Sequence, residues 1–189
     1  MVKLAAASQR AHAADPSAFL SRMNAALLGN TQNQFVTAAY AFLDSHAGEL
    51  RYSAAGHPPM LLLRNNQITR IEENGLMLAA FDFAAYSTVT HRLKTADRLL
   101  LYTDGLIEAA TLAGDFFGLD ALCELFRSTA GLPLSDAVDR IISKVQAWST
   151  TQEDDLTLIL CEYGGKDRKN IHDRIGESEP IADFLNLSD

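Results

Sequence analysis

The chain has 189 residues, of which 48% are hydrophobic and 21% charged, enough for one sizeable core in an ordinary soluble globular protein. Its formal net charge of -8 argues against a polyanion such as nucleic acid as partner, since no local basic patch offsets it. Cys123 and Cys161 lie in apolar runs without CxxC spacing, which predicts two buried thiols in a reducing cytoplasm and argues against a structural zinc site.

The opening string MVKLAAASQRAHAADP has a lysine followed by small residues, but its apolar run stops at Gln9, too soon for a signal peptide. No run approaches the roughly 18 apolar residues that span a bilayer, so the expectation is a soluble, cytoplasmic chain without a membrane partner. Residues 3 to 14 are Ala-rich and read as the last turns of a helix. Asp15-Pro16 then reads as an N-cap and a first-turn proline, and Leu20, Met23 and Leu27 recur at helical spacing up to Gly29.

From Phe35 the period changes. FVTAAYAFLD, the turn SHAG and ELRYSAAG predict a hairpin, and MLLLR, NNQ and ITRIE predict a second one. Residues 86 to 93 alternate loosely as a strand, and DRLLLYTDG supplies a continuous apolar strand of the kind buried on both faces. Leu119, Leu122, Cys123 and Phe126 mark one helix, and the stripe from Leu134 to Trp148 marks another, both suited to cover a sheet. LTLILCEY, residues 156 to 163, is the last core strand; beyond Gly164-Gly165 the chain turns polar until PIADFLNL.

Two acidic features fall at strand ends. Asp104 follows the strand LLLY, and Asp154 and Asp155 precede the strand LTLILC. If these strands are antiparallel neighbours, their acidic ends meet at one sheet edge, where carboxylates held by rigid strands suit hard divalent cations such as Mg²⁺ or Mn²⁺. Gly105 lets the backbone bend beside the acid. Asp-Gly is also a common turn dipeptide, QEDD an ordinary solvated loop, and two acids are too few for a pair of ions about 4 Å apart. His57 of AGHPP is a candidate ligand or general acid, although a glycine before it and two prolines after it favour a stiff turn in which the histidine has a structural role. GxSxG, GxxxxGK[ST] and GxGxxG do not occur.

Taken in order, AGHPP after FVTAAYAFLD, then LLLYTDGLIEA, then EDDLTLIL beyond two helices, the chain resembles the metal-dependent protein phosphatases of the PPM type. The likeness is to the bacterial stage-two-sporulation-E-like branch, which acts in partner-switching control of sigma factors. It covers residues 1–163, read as a partial PPM-type domain, with 164–189 as a polar C-terminal tail that has room for one short helix.

The resemblance implies an α+β fold, an α/β/β/α sandwich of mainly antiparallel sheets, with a Mn²⁺ or Mg²⁺ pair in a complete domain. Asp104 matches one metal-ligating aspartate and Asp154 another, Asp155 is the weaker candidate, and Gly105 supports the turn. The implied reaction is phosphoserine or phosphothreonine hydrolysis by a metal-activated water, with no catalytic side chain beyond that water. The implied substrates are phosphorylated STAS-type anti-sigma-factor antagonists, and the implied full-length parent carries an N-terminal sensor domain.

The family's GDxxD-like and DxxGHG-like strings do not occur in these residues, and GLMLA at Gly75 to Ala79 stands where the family tends to have GLPLG. The expectation is therefore a chain that matches the C-terminal two thirds of the domain. Alone it would be inactive and aggregation-prone at an unpaired sheet edge. The alternative is a catalytically dead PPM-like binding or regulatory module; a plain structural sandwich with incidental acids explains the composition but not the three ordered strings.

Overall fold

A computed structural model describes residues 2–9, 12–32, 34–149 and 156–165. Those residues form two compact units, each a sheet with its own helices: one holds residues up to His57 together with Glu73–Leu93, the other Pro58–Glu72 together with Lys94–Gly164.

In the first unit, helix α1 (Val2–Ser8) precedes α2 (Pro16–Leu27). Asp15 caps α2 as its sequence predicts, Oδ1 accepting from the Ala18 N–H at 3.1 Å and from the Ser17 hydroxyl at 2.8 Å. These bonds, the backbone one foremost, hold the Asp15 carboxyl below the usual carboxylate range. The apolar face of α2, with Phe19, Leu20, Met23 and Leu27, is buried with Val36, Ala38, Ala55 and Leu78. Strands β1 (Ala38–Asp44) and β2 (Glu49–Ala55) make the expected hairpin.

The second hairpin, β3 (Met60–Arg64) and β4 (Gln67–Ile71), belongs to the second unit. It turns through Asn65 and Asn66, with φ of 49° and 63°, the left-handed pair that a two-residue hairpin requires and that asparagine tolerates. Strand β5 (Val89–Arg92) returns to the first unit and pairs antiparallel with β2, completing the order β1-β2-β5.

Strands β6 (Arg98–Tyr102) and β7 (Leu158–Glu162) complete the second sheet, order β4-β3-β6-β7, with every neighbouring pair antiparallel. Helices α3 (Leu119–Arg127) and α4 (Leu134–Trp148) cover one face of it, as their stripes predict. Leu61, Leu63, Leu100 and Tyr102 from the sheet meet Leu122, Phe126, Ile141 and Val145 from the helices. The residues of β3 and β6 on the opposite face, Met60, Leu62 and Leu99, are buried as well.

One expectation is corrected. Cys161 is exposed and Cys123 half-buried, where both thiols were expected inside. Among the described residues β7 has a strand partner on one side only, and Cys161 alternates with Leu158 and Leu160, the residues of β7 that enter the core. On α3 the burial belongs to Leu122 and Phe126, and Cys123 lies one step round the helix from that stripe.

The GLMLA loop also has a definite shape. Ala79 has φ of 64°, the left-handed region that glycine occupies without cost, at the position where the resemblance expects glycine. Buried Asn24 of α2 holds this conformation, accepting from the Ala79 N–H at 2.8 Å and donating to the Phe81 carbonyl at 2.8 Å. Gly75 tolerates no side chain, since a Cβ there would lie 2.7 Å from the Tyr86 ring and 2.8 Å from the Ala85 carbonyl oxygen.

Candidate metal centre

Strand β6 is bracketed by β3 and β7, and its body is almost wholly buried. Pairing of β6 with β7 runs from Arg98 opposite Glu162 to Tyr102 opposite Leu158. One step further, the Thr103 N–H donates to the Thr157 carbonyl at 3.0 Å, and the Thr157 N–H donates to Thr103 Oγ1 at 3.3 Å. The two strands are thus the antiparallel neighbours that the sequence argument required. The C-terminal end of β6 lies beside the N-terminal end of β7.

Asp104 follows at once, exposed, in a single 3-10 turn from Asp104 to Leu106. Gly105 and Leu106 behind it are buried, so the turn is seated while the acid faces outward. The Gly105 N–H donates to Asp104 Oδ1 at 3.1 Å, and the N–H groups of Ile107 and Glu108 donate to the Asp104 carbonyl, each at 2.8 Å. The bend at Gly105 is made by this turn and not by a left-handed φ. No lysine or arginine is ion-paired to Asp104 among the described residues.

Asp154 and Asp155 lie outside the described residues. Among the described residues no group of three or more His, Cys, Asp or Glu side chains is placed to hold a metal. Asp104 supplies hard oxygen donors at a fixed strand end, the donor type that Mg²⁺ or Mn²⁺ takes, but one carboxylate is only part of such a set.

His57 sits in a clamped turn. Asn74 donates from Nδ2 to the His57 carbonyl at 2.9 Å and accepts from its N–H at 3.4 Å. Gly56 before it has φ of 64°, and a Cβ there would fall 2.4 Å from Met77 Cγ. These contacts use the backbone of the AGHPP string, in keeping with the structural reading of the motif.

The residue that sequence reasoning missed is Asp97, at the other end of β6. It is 1% exposed. Its Oδ1 accepts from Arg64 Nε at 2.8 Å, and its Oδ2 from Arg64 Nη2 at 2.5 Å and from the Lys94 N–H at 2.7 Å. Hydrogen bonding to Asp97 raises the Arg64 guanidinium above its ordinary pKa. Arg98, beside it, donates to Glu162 at 2.8 Å and to the carbonyls of Thr129 and Leu132 at 2.8 and 2.7 Å, tying the α3–α4 connection to the sheet.

The family model for stage II sporulation protein E matches residues 1–164. The phosphoserine phosphatase RsbU of Bacillus subtilis is 26% identical over 164 residues, 85% of this chain and 49% of its own. Among solved structures, the SiaA-PP2C domain of Pseudomonas aeruginosa superposes with a TM-score of 0.73 at 18% identity, covering 85% of this chain and 68% of that domain. The catalytic domain of the serine threonine protein phosphatase PstP, solved in complex with two manganese ions, gives a TM-score of 0.63 at 14% identity, over 85% and 80% of the two chains. The fold is that of PP2C domains, mixed helix and antiparallel sheet. The chain spans about half or less of the length of the curated relatives it matches. Among the described residues no helix is long and apolar enough to cross a membrane.

Proposed function

The chain belongs to the stage II sporulation protein E family, and from that membership we propose that it is part of a metal-dependent protein serine/threonine phosphatase. The observation that carries this reading is the antiparallel pairing of β6 with β7, closed by the Thr103–Thr157 bonds, which fixes Asp104 beside the start of the strand that Asp154 and Asp155 precede in the sequence.

In this reading Asp104 and Asp154 are metal ligands, with Asp155 a weaker third. The ions would be Mn²⁺ or Mg²⁺; when bound, such ions supply an activated water and neutralise charge on phosphoryl oxygens. The task of this chain's own residues is to position. The flanking strands fix the end of β6, the 3-10 turn aims the Asp104 carboxylate outward, and the Gly105 N–H orients one of its oxygens.

The substrate class is a phosphorylated STAS-type antagonist of an anti-sigma factor. Likeness to RsbU, a phosphoserine phosphatase, and to a solved protein carrying RsbU and RsbW domains supports it. Because the GDxxD-like and DxxGHG-like strings do not occur in the 189 residues, the chain by itself holds at most one ion weakly and does not turn over.

Isothermal titration of Mn²⁺ into the chain and into Asp104→Asn tests the ligand assignment. Weak binding that falls about tenfold or more in the variant is expected, and identical isotherms would remove the role given to Asp104. Mn²⁺-dependent release of phosphate from a phosphorylated STAS protein, abolished in Asp104→Ala, would refute the inactivity of the isolated chain. Heat in neither protein would favour the non-catalytic binding module.

A further inference from the structure

Between the turn at Asp104 and α3 the chain folds back on itself as a short finger. Ala110 and Phe116 form an antiparallel bridge. The Phe117 N–H donates to the Ala109 carbonyl at 2.9 Å, the Gly118 N–H to that of Ile107 at 2.8 Å, and the Thr111 N–H to that of Asp115 at 3.1 Å. Trp148, near the end of α4, fastens the finger from the side. Its Nε1–H donates to the Asp115 carbonyl at 3.1 Å, and its ring meets Phe117 edge to face at 5.9 Å.

The finger packs Ile107, Ala109 and Phe117 against the core but leaves Leu112 and Phe116 outside. Leu112 is 84% exposed and Phe116 63% exposed, beside a partly exposed Trp148. Apolar side chains presented together on a fixed loop next to a candidate active site mark a contact surface.

Charge decides what kind of surface it meets. From Leu99 to Phe126 the sequence holds Asp104, Glu108, Asp115, Asp120 and Glu124 with no lysine or arginine; the bases that follow are Arg127, and Arg140 and Lys144 on α4. Asp120 and Glu124 are ion-paired to Arg70 and Arg127, whereas Asp104, Glu108 and Asp115 have no such pair among the described residues. Exposed apolar residues with unpaired acids close by in the chain complement an apolar patch flanked by bases. A second copy meeting this face across a two-fold axis would oppose acid to acid. The chain's last residues, 175–189, carry Glu177, Glu179, Asp183 and Asp189 and no base and would do the same, whereas 166–174 carry Lys166, Arg168, Lys169 and Arg174, so truncation at 166 is the control for the tail.

We propose that the finger with Leu112 and Phe116 at its surface is a docking site for the phosphoprotein substrate, which it recognises through an apolar patch ringed by lysine or arginine near the phosphorylated residue. The proposal rests on the phosphatase reading for the phosphate, while the finger acts by binding alone.

Trp148, the single tryptophan of the chain, reports on this face. The probes are two phosphoserine peptides of about 15 residues without tryptophan, one with Leu, Phe, Lys and Arg flanking the phosphoserine, the other with Asp and Glu in place of Lys and Arg. Each is titrated into the full chain without metal, following Trp148 emission. The basic peptide binds about tenfold tighter than the acidic one, and the preference shrinks severalfold at high salt. Leu112→Ser combined with Phe116→Ser, both at exposed positions and checked by circular dichroism, weakens the basic peptide about tenfold.

Equal affinity for the two peptides, or an unchanged affinity in the double variant, would overturn the proposal. So would a wild-type dimer that the double substitution dissociates, which would give the face to a second copy, or tighter peptide binding after removal of residues 166–189, which would give it to the tail. Peptide discrimination without Mn²⁺ binding would remove the phosphatase reading and leave the docking face standing; Mn²⁺ binding without peptide discrimination would do the reverse.

Discussion

Strand β6 has an aspartate just before it and another just after its last pair, and the two have opposite surroundings. Asp97 is buried, gripped by Arg64 through two bonds and by the Lys94 backbone. Asp104 is exposed, aimed by a short turn, with no cationic side chain paired to it among the described residues. The same residue type thus serves as an internal fastener at one end of the strand and as an outward-facing donor at the other. A carboxylate satisfied by the protein has little left to offer an ion, whereas one positioned but unneutralised is available to a cation from solution.

The contrast can be broken most sharply at Asp97. Replacing it with alanine leaves the half-buried Arg64 head and the Lys94 N–H without their acceptor, and should cost about 2 kcal/mol in denaturant unfolding. A loss below about 1 kcal/mol would show the pair to be dispensable.

Asp15 is an intermediate case, exposed yet hydrogen-bonded, and Asp15→Ala should cost about 1 kcal/mol at neutral pH. Its folded pKa lies below the ordinary value of 3.8, so the stabilisation is present above that value and disappears as the pH falls through the folded pKa. Unfolding curves of wild type and variant should therefore converge in acid; a gap that persists there would assign the effect to packing.

Asp104→Asn should be nearly silent, within about 0.5 kcal/mol without metal, because the exposed carboxylate supports only its own turn. A large loss would mean that Asp104 is structural like Asp97.

Most elements were legible from periodicity and from punctuation by glycine, proline and asparagine. The cap at Asp15, the Asn65-Asn66 turn and the stripes of α3 and α4 are local signals, and the structure realises each. The antiparallel placement of β6 beside β7 is a condition of the acid argument that the sequence leaves open and the structure meets. By contrast, Asp97 and Arg64 are 33 residues apart, and nothing in DRLLLYTDG distinguishes the acid before the strand from the acid after it. The thiol of Cys161 was misjudged for a similar reason: an apolar run reads alike in an edge strand and in a central one. The strain at Ala79 is visible only as a departure from a family pattern, because alanine carries no sign that its φ will be positive. The finger after Asp104 left no periodic signal, being built from backbone bonds and one tryptophan at the far end of α4.

The Thr103–Thr157 bonds beside Asp104 have a kinetic meaning. They join residues 54 positions apart, and the Arg98–Glu162 pair at the other end of the same strands joins residues 64 apart, whereas the β1–β2 and β3–β4 hairpins close over a few residues. Local pairings form early, and long loops close only after intervening chain has been ordered. Loop closure alone therefore puts the pairing that positions Asp104 after the two hairpins in the expected order of folding. A short peptide spanning the TDG string would keep the acid and lose its aim.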